Sequence, residues 1–175
     1  QTIVVLKNLL MAHVEVYKAL KRIDNTKSIG IVHNVLLFKQ LYTLDPISYC
    51  LTGFFNKITN DLLIEFFSTG KFSYHNTLLR IHIEYEDEHA ALYNDYIGLN
   101  FYANPVVGPN LSNCYGATCY SGQEMGDMYL PLDPEGFSTA IDLVATLNKP
   151  IYITEIGIAD KTDLLRQKFV QQYTD

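Results

Sequence analysis

Apolar side chains recur at Ile3, Leu6, Leu10, Val14 and Tyr17, the three-and-four spacing of one helix face, which predicts a helix over residues 3–22. Asp24-Asn25 breaks it. The pattern then shifts to short, nearly continuous apolar runs that end in polar groups. SIGIVHN (28–34) ends in His33 and Asn34, DYIGLNFYANP (95–105) carries Asn100, Phe101 and Tyr102, and KPIYITE (149–155) ends in Glu155. Each reads as a strand. Helical stretches separate them. One runs from about Ile47 to Phe67, with Gly70 placed to stop it. A second spans 132–148, where Asp133 can cap, Pro134 suits the first turn and Glu135 suits the helix dipole. A last helix starts at Asp160, with Asp160 and Asp163 as a capping-box-like pair. Residues 75–94 are ambiguous by period; their middle admits an outer strand, and the run EYEDEH reads as a solvated loop.

Strands that are apolar on both faces belong to parallel sheets covered by helices, so the fold class is α/β. All three strands place polar groups at their C-terminal ends, where parallel sheets and α/β barrels bind ligands. Glu155 is the most informative of these. An isolated carboxylate is costly to bury, so at the end of an apolar strand it is solvated, paired or held for chemistry.

Composition narrows the classes. A chain of 175 residues that is 48% apolar and 18% charged is long enough for one domain with a core and is not a disordered segment. A net charge of −6 argues against nucleic acid and anionic membrane as partners, and no apolar run is long enough to span a bilayer. Neither a signal-peptide pattern nor an internal repeat is evident. Cys50, Cys114 and Cys119 have no zinc-site spacing and read as reduced thiols of a cytoplasmic protein. His75, His82 and His89, among Glu84, Glu86, Asp87 and Glu88, fit no metal-ligand pattern, so no metal and no cofactor is expected. His13, on a helix face, reads as structural. Residues 108–122, rich in Gly, Ser, Asn and Cys, form a long loop of the kind that carries function.

Several of these segments also resemble one family, in its order. KPIYITEIGIAD is similar to the seventh-strand signature I-T-E-N-G of family 1 glycoside hydrolases, the β-glucosidase family. DYIGLNFY resembles that family's sixth strand, GDMYLPLDPEGF the lead-in to the next helix, SIGIVHN the fifth strand, and LKNLLMAHVEVYKALK the helix after the fourth strand. The likeness is weakest over about 36–91. It implies part of a (β/α)8 TIM barrel, about strands 5 to 7 with flanking helices, so that residues 1–175 form a single partial barrel domain of a longer chain. It also implies a retaining β-glycosidase, which hydrolyses O-glycosidic bonds through a covalent glycosyl-enzyme intermediate formed by two carboxyl groups. By position, Glu155 matches the nucleophile and Tyr102 the hydroxyl that donates a hydrogen bond to it. Such a donor favours the charged carboxylate that attacks. Asn100 matches a sixth-strand position near the nucleophile and is a substrate-binding candidate; Asn34 and His33, at a strand end, read equally as pocket-lining substrate contacts or as satisfied structural residues. The implied partners are a β-glycoside or oligosaccharide and the remainder of the barrel, in the same or a partner chain.

The sequence departs from the family at several points. The acid/base motif T-F-N-E-P of strand four and the W-S-L-x-D-N-x-E-W segment of strand eight are not in it, and it has no Trp to stack on a sugar face. Ile156 stands where the family has Asn. A catalytically inactive relative, serving as a carbohydrate-binding or structural module, therefore stands as the alternative. An unrelated doubly wound protein would call for a glycine-rich phosphate loop after a strand, and none of the three strands has one.

Overall fold

Helix α1, Thr2–Ile23, lays Ile3, Leu10 and Val14 against the core. Its C-terminal end is tied down by Asp95, which accepts hydrogen bonds from the Tyr17 hydroxyl (2.8 Å) and the Ile29 amide (2.8 Å) and pairs with Lys21 at 2.7 Å. The structure, a computed structural model, describes residues 1–109, 122–128 and 130–174. Cys114, Cys119 and most of the expected loop at 108–122 lie outside the described residues.

After α1 come β1 (Gly30–Asn34) and the short β2 (Lys39–Gln40). Helix α2 (Pro46–Asn56) is capped by Asp45, whose carboxylate accepts from the Ser48 amide at 2.7 Å. A π-helical turn at Lys57–Asp61 leads into α3 (Leu62–Thr69). Gly70 ends α3 at φ +80°, and a Cβ there would lie 2.5 Å from the Asp87 carbonyl oxygen, so the stop expected from sequence is enforced by both conformation and space. Then follow β3 (Lys71–Asn76), β4 (Ile81–Glu86), a 3-10 turn at Ala90–Leu92, β5 (Tyr96–Phe101) and β6 (Val106–Val107). Helix α4 (Pro134–Ala145), β7 (Ile151–Ile156) and α5 (Leu164–Thr174) complete the order.

The main sheet has the order β1-β5-β7, with all strands parallel. The central strand is buried: Ile97, Leu99 and Phe101 face the helices and pack with Leu10 and Val14 of α1, Phe66 of α3, and Ala140 and Val144 of α4. A side chain of this size contributes about 1.5–3 kcal/mol when fully buried. The opposite face is open. A Cβ on Gly98 would sit 2.8 Å from Val32 Cγ2 and 3.1 Å from Thr154 Cγ2, which places Val32, Gly98 and Thr154 on that face together.

The structure corrects four expectations. Helices cover only one face of the sheet, so burial on both faces does not hold: central β5 is sheltered by its two neighbours, whereas β1 and β7 are edge strands, and Val32 and Tyr152 on the uncovered face are 51% and 58% exposed. Residues 71–86 form an antiparallel hairpin, so part of EYEDEH is strand β4, with alternating burial, rather than loop. Helix α5 begins at Leu164 rather than Asp160. Asp160 caps it from outside by accepting from the Leu165 amide at 2.6 Å, and Asp163, at φ +62°, instead pairs with Arg166. The predicted helix from Ile47 to Phe67 is interrupted by the π turn. His13 is structural, as expected: it bonds the Tyr93 carbonyl at 2.8 Å and meets the Phe67 ring edge-on.

The division into a covered and an open face makes a direct prediction. Leu99→Ala should cost about 2–5 kcal/mol in urea unfolding. Val32→Ala, one strand away on the open face, should cost well under about 1 kcal/mol. Equal losses would mean that the faces are misassigned.

Candidate active site

The site is built by a register shift. Strands β5 and β7 pair Leu99 with Ile153 and then Asn100 with Glu155, so Thr154 is an extra residue in the ladder. Simple alternation would set Thr154 opposite Asn100 and turn Glu155 toward the helices. The bulge instead leaves Thr154 on the open face and brings Glu155 into line with Asn100 as well. Bulges of this kind re-aim side chains at the rims of barrels and beside active sites.

Two hydrogen bonds join the four residues. The Tyr102 hydroxyl, two positions past Asn100, donates to Glu155 Oε2 in a short contact. The Thr154 hydroxyl donates to Asn100 Oδ1 at 2.6 Å. Donation to Glu155, reinforced by burial and by the carboxylate's charge, raises the Tyr102 pKa above its ordinary value. Tyr102 therefore stays protonated as a donor throughout the neutral range. Glu155 itself is exposed, at the C-terminal end of an edge strand.

The other sequence candidates divide between the faces. Asn34 ends β1 beside Asn100, with which it pairs in register, and it is exposed. His33 does not join them. It is buried on the helix side, where its Nε2 lies 3.2 Å from Asn60 Oδ1. The Asn60 amide nitrogen donates to the Leu36 carbonyl at 2.8 Å, which leaves Oδ1 to accept and makes His33 the Nε2–H tautomer. Burial lowers the His33 pKa, so the ring is neutral. His33 is thus a satisfied core residue: strand alternation sends neighbouring side chains to opposite faces, and only Asn34 reaches the open one. Among the described residues, no group of three or more His, Cys, Asp or Glu is arranged to hold a metal.

Sequence reading missed Thr154 and Gly98. Glycine inside an apolar strand is a mark of close approach and was the available signal for the latter. Nothing in the pattern announces the bulge.

Helices outside a parallel sheet, with polar groups gathered at the strands' C-terminal ends, define part of an α/β barrel, and solved structures agree. The chain superposes on the GH1 β-glucosidase from Exiguobacterium antarcticum B7 with a TM-score of 0.71, at 19% identity, covering 94% of this chain and 41% of that one. For the β-glucosidase from Exiguobacterium marinum the TM-score is 0.70 at 21% identity, covering 94% and 42%. In sequence, the chain is 27% identical to the β-galactosidase of Pyrococcus woesei over 199 aligned positions, 95% of this chain and 38% of that protein. No protein-family model matches. The chain is therefore similar, over nearly all of its length, to part of a family 1 β-glycosidase barrel, and it spans well under half the length of these relatives.

The buried histidine gives the site's surroundings a pH signature. With the folded-state pKa held below the ordinary 6.5, the unfolded chain binds more protons as pH falls through that value. Stability should therefore drop on acidification below about pH 6.5. His33→Gln, which keeps an amide donor, should flatten that limb of the urea-denaturation profile. An unchanged limb would show that His33 does not contribute to it.

Proposed function

We propose that this chain is the nucleophile-bearing part of a retaining β-glycosidase, with Glu155 as nucleophile. The observation that carries this is the Tyr102-to-Glu155 hydrogen bond at the C-terminal ends of two adjacent parallel strands. The similarity to β-glycosidases over 95% of the chain supports it. In the proposed reaction, Glu155 attacks the anomeric carbon of a β-glycoside while a second carboxyl group protonates the departing oxygen. Water, deprotonated by that second group, then attacks the same carbon and releases Glu155. Asn34 and Asn100, on the open face, are placed to meet sugar hydroxyls. Tyr102 holds Glu155 in line and stabilises its negative charge between turnovers.

The second carboxyl group, about 5–5.5 Å from the nucleophile in such enzymes, would come from a strand beside β1. Two surfaces support completion of the barrel by further strands and helices, in the same or a partner chain. One is the open sheet face bearing Val32 and Tyr152. The other is a second apolar stripe on α1, where Val5, Leu9, Val16, Leu20 and Ile23 are exposed opposite the buried Leu10 and Val14. No helix among the described residues is long and apolar enough to cross a membrane. Cys50 is exposed and has no disulfide partner among the described residues, which supports placing the protein in the reducing cytoplasm.

Glu155→Gln in the completed barrel should lower turnover of an aryl β-glucoside by about 10³-fold or more. Its Tm should barely move, because the side chain is exposed. Full activity in that variant would remove Glu155 from the mechanism. Oligosaccharide binding without turnover by the wild-type barrel would make this a carbohydrate-binding module instead.

A further inference from the structure

We infer that Thr154 is a positioning residue that holds Glu155 and Asn100 in their working orientations. The assignment rests on the site reading above but makes its own, separable prediction. Three observations lead to it. Thr154 is the extra residue at the point where the β5–β7 register shifts, and the shift puts Glu155 rather than Thr154 opposite Asn100. Its hydroxyl donates to Asn100 Oδ1 at 2.6 Å, so a side-chain bond spans the break in the backbone ladder. Its methyl and hydroxyl rest over Gly98, where a Cβ would lie 3.1 Å from Thr154 Cγ2 and 3.2 Å from Oγ1. The missing side chain at Gly98 is thus the seat for Thr154.

Each contact has a consequence for the site. An Asn amide can turn over, exchanging donor for acceptor, with little change in shape. With Oδ1 committed to the Thr154 hydroxyl, Asn100 presents its Nδ2 donor to a ligand on the open face. The seat over Gly98 makes room for Thr154 on that face, and its hydroxyl bond to Asn100 ties β7 to β5 at the bulge, so the next residue, Glu155, stays within reach of the Tyr102 hydroxyl. A β-branched residue is suited to this duty, because its χ1 is restricted in extended backbone. Serine would keep the hydroxyl without the methyl, and valine would keep the shape without the hydroxyl.

The readout is the ionisation of Tyr102, whose phenol donates directly to Glu155 and is held above its ordinary value chiefly by that bond. In full-length protein labelled with ¹³C at tyrosine Cζ, the Tyr102 signal is identified by its loss in Tyr102→Phe. In wild type it should titrate above the ordinary tyrosine value of about 10. Thr154→Val should bring the midpoint back toward about 10 and shift the Asn100 side-chain amide signals, whereas Thr154→Ser should keep both near wild type. An unchanged midpoint and unchanged amide signals in Thr154→Val would overturn the proposal. So would an identical loss in Val and Ser variants, which would show that general packing and not the hydroxyl matters. If the Val variant does not fold, Thr154→Ala takes its place against Ser in the same comparison. The titration needs no turnover, so it stands even where Glu155→Gln disproves glycosidase chemistry; a Glu155→Gln barrel that loses activity while Thr154→Val changes nothing would fail this proposal alone.

Discussion

Parallel strands cannot be joined by a tight turn, because the chain must return along the sheet before the next strand starts. That constraint shapes the molecule. Every crossover between β1, β5 and β7 starts at the same edge of the sheet, so the chain leaves all three strands where Asn34, Asn100, Tyr102 and Glu155 stand. The returning segments carry helices, and these cover one face only. Polar groups therefore collect at one end without any one segment having to seek another out. The cost is a large non-local topology, in which His13 meets Tyr93 and Lys39 pairs with Asp133 at 3.1 Å, each across about half of the chain.

The same constraint explains which strand residues are buried. Along β5 the odd positions 97, 99 and 101 meet helices and carry the bulk, whereas Gly98, on the other face, carries none. On β1 the alternation is sharper, since His33 goes inward to Asn60 and Asn34 goes outward to the site. Asn60 reaches His33 from the π turn at Lys57–Asp61, where one extra residue per turn rotates side chains away from regular helical spacing. A π turn behind His33 and a β-bulge beside Glu155 use the same device: one added residue changes which way a functional or buried polar group points.

These two insertions mark where sequence stops being legible. The helices at 3–22 and 132–148, the stop at Gly70, the cap at Asp133 and the three strands all follow from period and end signals, and the structure has each of them. Its Asp133 cap accepts from the Gly136 amide at 3.1 Å. Glu155 and Tyr102 were legible as strand-end residues. Their contact was legible only through family resemblance, because it joins positions 53 apart in sequence. The same strand-end signal put His33 and Asn34 forward together, and the structure turns His33 inward to Asn60 and Asn34 outward. A strand-end signal names two adjacent residues, and only the register of the sheet decides which faces inward. The hairpin at 71–86 was obscured because its strand β4 is charged on one face, as an outer antiparallel strand in water should be.

The exposure of Glu155 also bears on how the site gains strength. In water, a hydrogen bond such as that from Tyr102 contributes only about 0.5–1.5 kcal/mol net, since water competes for both partners. The same pair in a site closed off from solvent acts through a lower effective dielectric, where each charge and dipole is felt more strongly. The open face carries Tyr96 and Tyr152, which meet edge to face at 5.0 Å, beneath the polar rim. Such a surface is apolar low on the strands and polar at their ends. Covering it with further strands would bury the tyrosines, expel water from beneath Asn100 and Glu155, and leave the rim as the only wet entrance. Completing the core and sharpening the carboxylate's electrostatics would therefore be one event. The bulge at Thr154 sets Glu155 in line with Asn100, on the face that such strands would cover.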